Sequence, residues 1–145
     1  MKTLFTTTAK ICAVLFVMAS FSSCSSDDDS APTRAELLSN KWYLVQQEDL
    51  STSPPTVEIA DDCEQNTYFN FLDDGGLIAE SFVLDIDSNC VSQSLVAATY
   101  DLTDDGEQIY LTSGSPPSTQ VVNIESLTES ELVISNSDVN IFFSR

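Results

Sequence analysis

The sequence predicts an all-β protein, an eight-stranded antiparallel up-and-down barrel with one short N-terminal helix. Apolar residues recur with period two in strand-length blocks from Lys41 to the end of the chain. Turn residues separate the blocks, mostly at hairpin length, so neighbours in sequence pair antiparallel in space. Eight such strands close well into a barrel, which removes exposed sheet edges. A two-sheet sandwich is the alternative. It would normally need longer crossovers than the chain offers after residue 93.

The helix comes first. Thr33-Arg34-Ala35-Glu36-Leu37-Leu38 opens on a capping residue with Glu36 three positions later, a capping-box pattern, and Asn40 ends it. The first strand is Lys41 to Glu48, with Trp42 and Leu44 on one face and Gln46 and Glu48 continuing it. Asp49 to Pro55 is a polar loop broken by Pro54-Pro55. Thr67 to Leu72 is the second strand, with Phe69 and Phe71 on one face. Asp73-Asp74-Gly75-Gly76 turns the chain, and Leu77 to Leu84 pairs back as the third. Asp85 to Ser92 is a loop holding Cys90. Leu95 to Leu102 is the fourth strand, with Val96, Ala98, Tyr100 and Leu102 on one face. Four further strands follow: Gln108 to Thr112, Thr119 to Ser126, Glu131 to Ser135 and Val139 to Ser144. Their inward residues are Ile109 and Leu111, Val122 and Ile124, Leu132 and Ile134, then Val139, Ile141 and Phe143.

The N-terminus carries an address. Lys2 and Lys10 supply positive charge, Ile11 to Met18 is an apolar run, and Phe21-Ser22-Ser23-Cys24 ends it with small residues and a cysteine. That order is a secretory signal peptide. Only 13 positions lie between Lys10 and Cys24, whereas a spanning helix needs roughly 20 apolar residues. The cysteine at the cut resembles that of a bacterial lipoprotein, cleaved before Cys24 and acylated on it. The box is relaxed: Phe21 stands where leucine is usual and Ser23 where glycine or alanine is. Relaxed boxes of this kind resemble those of one large group of Gram-negative bacteria, in which an acidic run such as Ser26-Asp27-Asp28-Asp29 resembles a signal for export to the outer cell surface. A cut elsewhere would leave Cys24 a free thiol in an oxidising compartment. The domain expectation is therefore a lipoprotein signal peptide over 1–23, an acidic flexible tether over 24–33 and the barrel over 34–145, anchored by lipid to the bacterial outer membrane and facing outward.

Removing residues 1–23 from 145 leaves 122 residues, the size of one domain. Arg34, Lys41 and Arg145 then stand against 23 carboxylates, a net charge of −20. Such a chain repels phosphate backbones, so no nucleic-acid partner is expected. Cys12 leaves with the signal and Cys24 takes lipid, so Cys63 and Cys90 remain to pair. With two cysteines and no histidine, zinc is not expected. Catalysis by a nucleophile and histidine is excluded, no glycine-rich phosphate loop exists, and no cofactor is expected. Asp85-Ile86-Asp87-Ser88-Asn89 starts like a calcium loop, but Cys90 stands in the place of glycine and Val96 in that of the closing glutamate. Paired carboxylates could hydrolyse glycosides only with one acid buried. Most acids here lie in turns. Glu80, in a strand with Ile78 and Phe82, either points inward as a polar anchor or faces solvent opposite Leu77, Ala79 and Val83.

Several segments resemble a known family. Leu37-Leu38-Ser39-Asn40-Lys41-Trp42-Tyr43-Leu44 is similar to the opening of the lipocalin-like domains of secreted bacterial lipoproteins, with Asn40 where glycine is usual. Cys63 to Phe71, running into Asp73-Asp74-Gly75-Gly76, resembles the family's next feature. Tyr100-Asp101-Leu102 with Ile109-Tyr110-Leu111 resembles its central hairpin, and Ile124 to Ile134 its closing one. The resemblance covers most of residues 34 to 145. It implies an eight-stranded lipocalin-like barrel and no catalytic residues.

Small barrels either fill with side chains or hold one ligand. The stripe Trp42, Leu44, Phe69, Phe71 and Tyr100 is the candidate ligand-binding set, and packed core is its plainer role. Two functions therefore compete. One is a membrane-anchored, monomeric lipocalin-like lipoprotein binding a small apolar molecule. The other is a non-catalytic surface interaction module with a filled barrel. A net charge near −20 argues against anionic ligands unless Lys41 or Arg34 lies at the opening.

Overall fold

The computed structural model describes residues 31–145. The helix α1 (Arg34–Leu38) is one short turn and a half, too short to stand alone. Its N-terminus is closed by the expected capping box: the Thr33 backbone N–H donates to the Glu36 carboxylate at 2.7 Å and the Glu36 N–H to the Thr33 hydroxyl at 3.2 Å. At its other end Asn40 does what glycine cannot. Its side-chain amide donates to the carbonyls of Glu36 and Leu37 at 3.2 and 3.1 Å, satisfying acceptors that the helix leaves open.

Nine strands follow: β1 (Lys41–Asp49), β2 (Thr56–Ile59), β3 (Tyr68–Phe71), β4 (Gly76–Leu84), β5 (Cys90–Leu102), β6 (Gln108–Ser113), β7 (Ser118–Leu127), β8 (Glu131–Ser135) and β9 (Val139–Ser144). All pairings are antiparallel. Strands β3 to β9 follow one another around the sheet, and β1 pairs with both β3 and β9, closing an eight-stranded barrel. The short β2 adds to β1 beyond β3: Lys41 to Tyr43 pair with β3 and Gln46 to Asp49 with β2. The segment Thr56–Ile59, unassigned in the sequence reading, is thus a strand paired to β1 through its backbone, all four of its residues exposed. With no core face, it has no burial pattern to read.

Three register shifts interrupt the ladders, and the first alters an expected face. In β1 the shift between Leu44 and Gln46 places Gln46 opposite Phe142 and Glu48 opposite Asn140. The core side of β9 carries Ile141 and Phe143, paired with Ile134 and Leu132. Gln46 and Glu48 therefore lie on the outer face and do not continue the row of Trp42 and Leu44, because one extra residue reverses the alternation. In β5 a shift opposite Ser81 and Phe82 inserts Gln93, and β5 begins at Cys90, five residues before the sequence reading placed it. A third shift lies in β7 between Ile124 and Ser126.

The core sits toward one end. Leu38, Trp42, Ile109 and Leu132 are fully buried, with Phe71, Leu77, Ile134 and Phe143 nearly so. Helix α1 lies at this end, and the 72–75, 103–107 and 128–130 turns close it. At the opposite end the loops 50–55, 85–89, 114–117 and 136–138 connect the strands. Cys63, buried just before the turn Glu64–Asn66, is bonded to Cys90 across a Cα separation of 5.4 Å. The bridge pins the segment between β2 and β3 to the start of β5.

Candidate functional site

The distribution of side-chain size along the strands decides where the barrel is filled. Paired residues share a face, so the interior reads off the register. Toward the helix end the inward rows carry Trp42 opposite Phe69, Phe71 opposite Leu77, and Tyr100 opposite Leu111. The rings interlock: Phe71 meets Tyr100 edge-on at 5.0 Å between centroids, and Phe69 meets Phe143 at 5.1 Å. Toward the other end the inward rows turn small. Ala79 pairs with Val96, Ser81 with Ser94 and Ser113 with Ser118. Small side chains cannot meet across a barrel of this width, and the upper interior is open.

The result is a cavity of about 260 Å³. Its wall is apolar: Phe69, Leu77, Ala79, Val96, Ala98 and Leu111. Its rim is hydroxyl and amide: Thr67, Ser81, Ser94, Ser113 and Gln120. Val96 points inward beside Ala98 yet is 44% exposed, which marks the cavity as open to solvent. At the rim the Ser81 and Ser94 hydroxyls bond to each other at 2.7 Å across β4 and β5.

The candidate stripe divides along the barrel axis. Phe69 stands on the cavity wall. Trp42, Leu44 and Phe71 are buried in the packed end below it. Tyr100 packs against that core, and its hydroxyl donates to the Leu72 carbonyl at 2.9 Å and lies 3.3 Å from the Ser39 hydroxyl. The rim serines and Gln120 were not singled out from sequence. Their only signal is small or polar residues at inward positions of otherwise apolar rows, such as Ala79 and Ser81 or Ser94, Val96 and Ala98.

Glu80 borders the cavity through its place in β4, but its carboxylate serves the outer face. The Tyr68 hydroxyl donates to it at 2.9 Å, and that bond, with burial and the negative charge added, raises the Tyr68 hydroxyl above its usual pKa. Lys41 Nζ lies 3.5 Å from the Tyr68 ring centroid and 5.1 Å from that of Tyr43. The calcium-like segment is self-satisfied. Asp85 Oδ1 accepts the backbone N–H groups of Asn89 and Asp87 at 2.8 and 2.9 Å, bonds that, the Asn89 one foremost, also lower its pKa. Among the described residues no group of three or more His, Cys, Asp or Glu side chains converges to hold a metal ion.

The architecture has counterparts among solved structures. A lipocalin-like protein from Bacteroides uniformis superposes with a TM-score of 0.56 at 20% identity, covering 75% of this chain and 98% of its own. An uncharacterized protein from Bacteroides eggerthii superposes with a TM-score of 0.52 at 14% identity, covering 73% of this chain and 98% of its own. At such identities the likeness is one of fold. Among curated proteins none is significantly similar. The family model for the lipocalin-like domain matches residues 38–134, from the end of α1 through β8. With closed barrel, capping helix and matched span together, the chain belongs to the lipocalin-like domain family.

Proposed function

We propose that this protein is a lipid-anchored binding module that takes a small apolar or amphipathic molecule into the open end of its barrel. The observation that carries the reading is the apolar-walled, solvent-open cavity of about 260 Å³. Such sites pair an apolar lining with a few polar groups that orient the ligand. A 150 Å³ apolar cavity holds benzene, so by proportion this one admits a ligand of about ten non-hydrogen atoms. The apolar end enters against Phe69, Ala79 and Ala98, and the polar end meets the rim hydroxyls. The anchor is lipid on Cys24, with residues 24–33 as a tether holding the domain off the outer membrane on its outward side; residues 24–30 lie outside the described part of the chain.

The decisive experiment is calorimetric titration with 2-phenylethanol, a neutral probe of suitable size, against the wild type and Ala79→Phe. Binding by the wild type, abolished in a variant with an unchanged urea midpoint, supports the reading. Absence of binding by the wild type, or binding that survives the filled cavity, overturns it.

A second reading, presentation of loops to a protein partner, draws on the β4–β5 hairpin. There Leu84 is half exposed and Ile86 wholly so, at the tip of the longest strand pair. Its test is whether Ile86→Asp abolishes capture of a specific surface protein by the intact, anchored chain.

A further inference from the structure

We propose that the cavity selects cationic amphiphiles, an ammonium group on a small apolar body, and rejects carboxylates of the same shape. This rests on the cavity being a binding site, as proposed above, and adds the charge class of its occupant.

The structure gathers the cations at one end, whereas carboxylates lie at both. Among the described residues the cations are Arg34, Lys41 and Arg145. All three belong to the helix end. Arg34 Nε donates to the Gly106 carbonyl at 2.8 Å, on the closing turn between β5 and β6. Arg145 lies with its guanidinium carbon 5.2 Å from the Trp42 ring and donates to the Glu129 carbonyl. Lys41 begins β1 and is held over the Tyr68 ring on the outer face. None of them lines the cavity.

The open end is of one sign. Its strand ends and loops carry Asp49, Asp85, Asp87 and Asp138, with no lysine or arginine among residues 49–55, 85–89, 114–117 and 136–138. Hydrogen bonds from Ser51 hold the Asp49 carboxyl, and bonds from Asn89 and Asp87 the Asp85 carboxyl, below the usual range, so both stay ionised into mild acid. The rim itself is neutral, and its hydroxyls and the Gln120 carbonyl can accept from an ammonium. A carboxylate would find hydroxyl donors there but no countercharge, and would enter against the field of the loops. A low-dielectric mouth ringed by one sign of charge concentrates the opposite ion and speeds its entry. Asp49, Asp87 and Asp138 are exposed to solvent and act at a distance, so the preference falls with salt.

The test titrates the purified protein with three probes of matched shape: 2-phenylethylamine, 2-phenylethanol and phenylacetate. At low ionic strength the amine should bind at least about tenfold more tightly than the carboxylate, with the alcohol between. The ratio should shrink in 0.5 M salt, where the Debye length falls to about 4 Å. It should also shrink in Asp87→Lys/Asp138→Lys, two exposed loop positions whose exchange leaves the wall and rim intact. Equal binding of amine and carboxylate at low salt overturns the charge selection and leaves the cavity reading standing. Failure of all three probes overturns both.

Discussion

The indole N–H of Trp42 donates to the backbone carbonyl of Leu38 at 3.0 Å, and both residues are fully buried. The bond joins the last turn of α1 to the first strand and seats the helix across the floor of the barrel. The same carbonyl also takes the Asn40 N–H at 2.6 Å, so the chain reversal between helix and strand is fastened twice at one acceptor. A ring as large as Trp42 can fill the floor only because its one polar atom has this partner.

Trp42→Phe should therefore cost more than its lost area. It removes the indole donor, leaves the Leu38 carbonyl with one bond instead of two, and opens space beside Phe69 and Phe143. The expected loss is about 1–3 kcal/mol in urea denaturation, rising to about 3–5 kcal/mol for Trp42→Ala. A midpoint unchanged in Trp42→Phe would show that the helix is not a structural part of the floor.

The Cys63–Cys90 bridge closes 27 residues of chain. The chain-entropy model assigns such a loop about 3.5 kcal/mol. Cys63→Ala/Cys90→Ala should lose up to that amount while keeping the β-sheet signature, since the barrel pairings do not pass through the bridge. Non-reducing peptide mapping that finds two free thiols would show the bridge absent.

Gly106 has φ of +72°, a left-handed conformation that side chains disfavour, and an added Cβ would lie 2.5 Å from Arg34 Cδ. Gly106→Ala should cost about 1–2 kcal/mol from the backbone alone. It should also displace the Arg34 side chain from the Gly106 carbonyl. Arg34→Ala should relieve the clash, so the double variant should lose less than the two single losses added together. Strict additivity would show that the two residues are not coupled.

The Asp85 carboxyl is lowered from its usual value of 3.8, first by the bond from the Asn89 backbone. A carboxyl lowered in the folded state stabilises fully above its unfolded pKa, and that stabilisation disappears as pH falls through the folded value. Asp85→Ala should thus melt below the wild type at pH 7, and the two curves should converge as pH falls from about 5 to below 3. Thermal melts across that range check it. A gap that persists at the acid end would assign the loss to packing, not to the ionised carboxylate.

Lipid on Cys24 has a direct signature. The wild type should partition into detergent and carry the mass of an acylated residue, while Cys24→Ala should stay in the aqueous phase. Covalent acyl chains contribute about 0.8 kcal/mol per buried CH₂, so the difference should be near complete. Equal partitioning would remove the anchor from the proposed function.

What could be read from the chain beforehand was whatever depends on local pattern. The barrel was legible because alternation from Trp42 to Phe143 is broken mostly by short turns, and period two with hairpin spacing leaves few topologies. The cap at Thr33 and Glu36 was legible because its chemistry spans four residues. The Thr56–Ile59 strand was not: it has no buried face, and its backbone pairing with β1 makes it a strand. Nor were the faces of Gln46 and Glu48, since one extra residue in β1 reverses every side chain beyond it.

The site followed the same division. An aromatic stripe could be seen in the sequence, but its split into a packed floor and a single cavity-lining ring, Phe69, depends on which residues face one another across the barrel. Whether Ala79, Val96 and Ala98 leave a void is a question of volumes summed from five strands, and no one strand contains the answer. The total of charge was likewise plain from composition. That the cations of the described residues gather at the floor and leave the mouth with carboxylates alone came from strand direction and closure, which bring residues as distant as Asp49 and Asp138 to one end of the barrel.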